Sequence, residues 1–230
     1  MISRRTLLAG SALALTGIAA SCPNKEVFFD DFSGSRLGPS WEPYTGRPAS
    51  DAKVQWDPSE VRVRDSRLIL SGSPDGQYWR TGAVSQWREA HKYGRWEVRM
   101  RALAHPTLSY HVLLWPQADM WPPEIDLAES FTADRATTEA FVHWRADGQR
   151  HKRQFSLDVD ATQFATWAVE WTADYVRWSY DGTTFAEVTG DEVPDEPMWL
   201  AIQVEAQVPG DGGGGASDVL EVDWVRITSS

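Results

Sequence analysis

The run Trp167-Ala168-Val169-Glu170-Trp171-Thr172-Ala173-Asp174-Tyr175-Val176-Arg177-Trp178-Ser179-Tyr180-Asp181-Gly182 reads as strand, turn, strand, turn. Aromatic and β-branched residues recur on both sides of Thr172-Ala173-Asp174, the pattern of a half-buried hairpin. Asp181-Gly182 suits the left-handed backbone of a tight two-residue turn. The same grammar extends outward. Trp96-Glu97-Val98-Arg99-Met100-Arg101 alternates apolar and charged residues, and Val61-Arg62-Val63-Arg64 and Leu68-Ile69-Leu70 flank the turn Asp65-Ser66. Leu200, Ile202, Val204 and Ala206 alternate with Ala201, Gln203, Glu205 and Gln207, and Val219 to Ile227 reads as a closing strand. After residue 25 no window shows a helical period, and Gly and Pro fall mostly between strands. With no internal repeat and no linker, these features predict one all-β domain, an antiparallel β-sandwich or jelly roll.

Composition bounds the function. The chain has 230 residues, 13 Trp and one Cys, and a net charge of −11. One Cys excludes an internal disulfide framework and multi-Cys metal sites. The acidic balance argues against nucleic acid, whose phosphates need clustered Lys and Arg. So many Trp either fill a large core or offer flat apolar faces to a ligand; Trp96, Trp178 and Trp224, on alternating strands, read as core.

Residues 1–21 read as a signal peptide. Arg4-Arg5 precedes an apolar run to Ala20 that is too short to span a membrane, and Ser3-Arg4-Arg5-Thr6-Leu7-Leu8 resembles a twin-arginine export signal. Ala19-Ala20-Ser21-Cys22 fits lipoprotein cleavage with Cys22 lipidated; the alternative is ordinary cleavage that leaves a free thiol. On either reading the mature chain, residues 22–230, works outside the cytoplasm, and loss of Arg4 and Arg5 deepens its charge from −11 to −13.

The chemistry is carried by Trp121-Pro122-Pro123-Glu124-Ile125-Asp126-Leu127-Ala128-Glu129-Ser130. In a strand, Glu124 and Asp126 share a face. Glu129, five residues on, joins them only if a β-bulge near Leu127-Ala128 adds a residue. Three carboxylates on one face repel one another and raise the pKa of at least one. Glycoside hydrolysis needs such an arrangement, one carboxylate beside one carboxylic acid; a solvated acidic face or a cation site is the plainer reading. Pro122 and Pro123 lack N–H groups, so the strand enters the sheet at Glu124.

The acid segment resembles the signature of glycoside hydrolase family 16, the retaining β-glucanases, laminarinases and agarases. Phe29-Asp30-Asp31-Phe32-Ser33-Gly34, Thr81-Gly82-Ala83-Val84, Tyr93-Gly94-Arg95-Trp96-Glu97-Val98-Arg99, Val142-His143-Trp144, Ala168-Val169-Glu170-Trp171-Thr172 and Val222-Asp223-Trp224-Val225-Arg226 match the family in order. The resemblance implies a concanavalin-like curved jelly roll with a substrate cleft across its concave sheet. Glu124 would be the nucleophile, Glu129 the general acid/base, and Asp126 the neighbour that tunes the nucleophile. Two features depart from the pattern: Pro122-Pro123 stand where the family has a small residue, and Ser109 to Pro116 lacks the usual Trp-Pro-x-x-Trp order.

Trp115 and Trp121 bracket the acids as stacking platforms or as core. His143 matches the family's cleft-facing His, while Trp144 alternates to the core face. Of the row Gln203, Glu205 and Gln207, Gln203 is the member expected in the cleft. Asp31 and Asp223 match places where members bind a structural Ca²⁺; the reaction itself requires no cofactor. The expected activity is endo-hydrolysis of a β-1,3- or mixed-linkage glucan by a monomer whose only macromolecular partner is the polysaccharide, apart from a lipid anchor. Two alternatives stay open: a transglycosylase using the same residues, and a lectin-like binding module, which has no need of three repelling acids. An acidic chain is a poor host for a polyanion, with Arg80, Arg88 and Arg145 left to bring positive charge to the cleft.

Overall fold

The computed structural model describes residues 25–206 and 214–229. The signal segment, Cys22 and Gln207 lie outside the described residues. Seventeen strands follow one another: β1 (Lys25–Asp30), β2 (Glu42–Pro43), β3 (Val54–Trp56), β4 (Val61–Val63), β5 (Leu68–Asp75), β6 (Tyr78–Thr81), β7 (Ala83–Ser85), β8 (Gly94–Ala102), β9 (Leu108–Pro116), β10 (Glu124–Ser130), β11 (Thr137–Ala146), β12 (Gln149–Asp158), β13 (Ala165–Trp171), β14 (Tyr175–Tyr180), β15 (Thr183–Thr189), β16 (Met198–Ala206) and β17 (Ser217–Ser229). The only helical elements among the described residues are three-residue 3₁₀ turns.

The strands form two sheets. One runs β15-β14-β13-β8-β17-β5-β6-β3, with β1 and β4 attached; the other runs β12-β11-β10-β9-β16-β7-β2. All pairings are antiparallel except β3 with β6. The expected sandwich is therefore present, and the acid segment is the third strand of its seven-stranded sheet.

Local chemistry explains the hairpins. Asp65 and Ser66 both adopt positive φ (54° each), as do Asp181 and Gly182 (43° and 78°). That double left-handed step matches the right-handed twist of the flanking strands. Asp147-Gly148 makes a third such turn, between β11 and β12.

The core fills the space between the sheets. Leu68, Leu70, Trp96, Val98 and Met100 face it from one side; Val112, Leu114, Ile125, Leu127, Ile202 and Val204 face it from the other. Burying side chains of this size contributes about 1.5–3 kcal/mol each. Trp79, Trp96, Trp167, Trp171 and Trp178 are fully buried. Trp144 is half-buried at the edge of the core and stacks on His151. Trp224 corrects the expectation of a core tryptophan. The register of β17 slips between Val222 and Trp224, which turns Trp224 outward against Phe29, with Arg226 over its ring.

Candidate active site

The bulge lies where the acid spacing requires it. Against β9 the register of β10 shifts between Asp126 and Ala128; against β11 it shifts between Asp126 and Glu129. Ile125 and Leu127 point into the core, and Glu124 and Glu129 open onto one cavity of about 480 Å³. β10 starts at Glu124, directly after Pro123. Every residue of β10 is buried, with core on one side and cavity on the other.

Each carboxylate has its own partner. Trp121 donates its indole N–H to Glu124 Oε2 at 2.7 Å. Burial pushes the Glu124 carboxyl up to about 7; the Trp121 donor pulls against this, and the charge of Glu129 adds to it. Asp126 is the deepest of the three, and burial, followed by the charges of Glu124 and Glu129, holds it well above the carboxylate range. His143 Nε2 lies 3.3 Å from Asp126 Oδ2 and 3.9 Å from Glu124 Oε2. Burial lowers the His143 pKa, which favours a neutral imidazole beside Asp126. On the other side His111 Nδ1 lies 2.8 Å from Glu129 Oε1, and His111 Nε2 lies 2.9 Å from Ser109 Oγ. Burial opposes the charged form of His111, but Glu129, with Glu205 and Glu124, outweighs it, and the pKa rises. Donation from Nδ1–H to Glu129 is the assignment that fits.

Trp115 lines the cavity and donates to Asp119 Oδ1 at 2.8 Å. Trp121 sits over His143, its ring centroid 5.3 Å away. Gln203 lines the cavity as expected, and Glu205 joins it; both follow from the alternation of β16. The sequence reading passed over His111. Its signal is the register, because Gln203, His111 and Glu129 are direct neighbours across β16, β9 and β10. Tyr44, Arg47 and Trp56 complete the walls from segments with no motif of their own. Arg80 and Arg88 are engaged elsewhere, by Asp75 and Glu42, and Arg145 donates to the Trp121 carbonyl.

Glu124, Asp126 and His143 bring three potential metal-ligating atoms within 4.8 Å of one another. The raised pKa of Asp126 and the lowered pKa of His143 favour a hydrogen bond within this group. Asp31 accepts the Ser33 N–H, and Asp223 accepts from Arg99 at 3.2 Å; neither belongs to a comparable cluster among the described residues.

Comparison with known proteins places both the sequence and the fold in one family. The family model Glycosyl hydrolases family 16 matches residues 49–226. An endo-1,3-1,4-beta-glycanase, ExsH, of Rhizobium meliloti is 28% identical over 82% of this chain and 46% of its own length. A second from that organism, EglC, is 25% identical over 89% of this chain and 51% of its own. The chain thus spans about half the length of these two relatives. A Bacillus subtilis beta-glucanase is 24% identical over 96% of this chain and 95% of its own length. Among solved structures, LamAcat of Zobellia galactanivorans superposes with a TM-score of 0.78 at 19% identity, covering 90% of this chain and 98% of that one. The Bacteroides ovatus mixed linkage glucan family 16 protein, in complex with G4G4G3G product, gives 0.75 at 16%, covering 87% and 99%. The family match extends over most of the chain, and the chain belongs to glycosyl hydrolases family 16.

Proposed function

We propose that the protein is an exported, retaining endo-β-glycosidase that hydrolyses internal linkages of a β-1,3- or mixed-linkage glucan. The observation that carries this reading is the bulge that turns Glu124 and Glu129 onto one cavity, each held by a separate donor. Glu129, as an acid, gives its proton to the glycosidic oxygen while the Glu124 carboxylate attacks the anomeric carbon. The glycosidic bond breaks and an ester between glycan and Glu124 forms. Water then attacks the same carbon, gives its proton to Glu129, and releases Glu124. Asp126 supports the step from beside Glu124: burial and the neighbouring carboxylates raise its pKa, which limits the negative charge next to the nucleophile. The Trp121 N–H stabilises Glu124 as a carboxylate and fixes its rotamer.

The glucan assignment is supported by the names of the relatives, endo-1,3-1,4-beta-glycanase and beta-glucanase. Export, with a lipid on Cys22, is supported by Arg4-Arg5 and by the small residues before that cysteine. The test is a panel of neutral β-glucans scored for new reducing ends, with the product anomer read by NMR at early times. The expected result is cleavage with retention, reduced on the order of 10³-fold or more in Glu124→Gln. Undiminished cleavage by Glu124→Gln overturns the nucleophile assignment. Binding without cleavage by the wild type overturns the enzyme reading.

A further inference from the structure

Beyond the acids, the seven-stranded sheet continues through β11 to its edge strand, β12. The register places Glu124, His143 and Lys152 side by side across three strands, and pairs Arg145 with Arg150 one step along. At about 4.8 Å per strand, the Lys152 backbone lies roughly 10 Å from that of Glu124. Strand alternation divides the charges of β12 between its faces. His151 and Arg153 share the face that meets the core, His151 stacking on Trp144 and Arg153 pairing with Glu192. Arg150 and Lys152 turn to the opposite face, over Trp121 and Phe141. The Arg150 guanidinium lies 4.8 Å from the centroid of the Trp121 ring, and Lys152 Nζ lies 5.2 Å from that of Phe141. Phe141 in turn stacks on His143.

These two cations differ from most others in the molecule. Arg62, Arg67, Arg99, Arg101, Arg153, Arg177 and Arg226 all pair with carboxylates. Among the described residues Arg150 and Lys152 make no salt-bridge contact, although the chain carries a net charge of −11 and the charge of Lys152 acts on Asp126. Protecting an edge strand from aggregation calls for charge along it. It does not call for cations laid on the two aromatic rings that flank His143 beside the acids. Resting on those rings, the cations are preoriented toward the groove, where cation–π contact holds them without neutralising their charge.

We propose that the β12 side of the acids binds a negatively charged sugar unit, one bearing a carboxylate or sulfate, through Arg150 and Lys152, which Trp121 and Phe141 hold in place. The proposal rests on the glycan-hydrolase reading and narrows its substrate to a β-glycan that carries anionic units. On the other side of the acids the cavity is lined by Tyr44, Trp56, Trp115 and Gln203 together with Arg47, Asp119 and Glu205, so charges of both signs stand there, whereas the β12 side carries Arg150 and Lys152.

The test uses the full chain carrying Glu124→Gln, so that glycan is bound and not consumed. Affinity for carboxymethylated, sulfated and unmodified β-glucan is measured at low and at raised salt, and again after adding Arg150→Gln and Lys152→Gln. Tighter binding of one or both anionic glucans is expected, by about fivefold at low salt. Whichever derivative gains identifies the anionic group. The gain should shrink with salt and vanish with the two cations. Equal or weaker binding of both anionic glucans, or a gain that survives the double substitution, overturns the proposal. The two readings fail separately. Cleavage of neutral glucan without anionic preference leaves the hydrolase standing and removes the charge site. Anionic binding that depends on Arg150 and Lys152, in a protein that cleaves no glycan, does the reverse.

Discussion

Trp121 and His111 serve opposite carboxylates with the same device, an aromatic N–H aimed at one oxygen. A hydrogen bond to a charged group contributes about 1.5–3 kcal/mol, so His111→Phe should lower kcat by about 10- to 100-fold. His111 touches Glu129 and acts through it, which makes it a positioning residue. The deficit should therefore shrink with an aryl glycoside whose leaving group needs no proton; an equal loss on both substrates would point to a merely structural role. Glu124 makes a second prediction, about stability. Its carboxyl titrates at about 7 in the folded protein against the ordinary 4.5. A raised pKa means that the folded state holds its proton longer than the unfolded state, so this contribution is full below pH 4.5 and is lost as pH rises through 7. Glu124→Gln removes the buried charge. Near pH 8 it should stabilise the protein by about 2 kcal/mol, or roughly 4–8 °C in Tm for a chain of this size. Thermal melts near pH 4 should show no gain; a gain that is independent of pH would show that burial of charge is not its cause.

One extra residue in β10 makes the difference between three acids on a face and two. The bulge was legible because the spacing Glu-x-Asp-x-x-Glu violates strand alternation, and only an inserted residue restores it. What holds the bulge was not legible. Trp178, on β14 of the opposite sheet, donates its indole N–H to the Asp126 carbonyl at 2.9 Å, where the ladder slips. The alternation of β14 assigns Trp178 to the core but gives no hint of a partner 52 residues away. His111 was missed for a related reason: a His in an apolar strand declares its role only when β9 is laid in register against Glu129. Trp178→Phe keeps an aromatic ring in the core but leaves that carbonyl without a donor. A loss of about 1–3 kcal/mol is expected, with activity falling further than stability as Glu129 loses its orientation. Denaturant melts compared with kcat measured well below the melting range check this. Wild-type kcat in a destabilised protein would show that the indole supports the core and not the bulge.

Across the whole molecule, the tryptophans sort by sheet position. Five are fully buried between the sheets, while Trp115 and Trp121 stand at the cleft. Periodicity assigned Trp96 and Trp178 to the core, where they lie, and Trp224 too, where a slip in β17 overrides it; it made no assignment for Trp79, Trp167 or Trp171 and left Trp115 and Trp121 open. The sequence was silent on how the end of the sandwich is closed. Arg135, in the loop between β10 and β11, looks like a solvated loop charge, yet its exposure is 0%. Its guanidinium donates to the carbonyls of Leu103, Leu108, Ser130 and Thr132. Leu103 follows β8 of one sheet; Leu108 and Ser130 belong to β9 and β10 of the other. One side chain thus ties the two layers together, and four carbonyl dipoles take the place of a carboxylate in offsetting a buried charge. Arg135→Met keeps much of the volume and leaves all four carbonyls without that donor. The expected loss is about 3 kcal/mol, or roughly 6–12 °C in Tm. Arg135→Lys keeps the charge but not the planar fork, and an ammonium cannot reach four carbonyls spread around a guanidinium. It should therefore lose most of the same stability. Melts of both variants within about 2 °C of the wild type would show that the sheets hold together without this tie; a loss in Met but not in Lys would show that the charge matters and the fork does not.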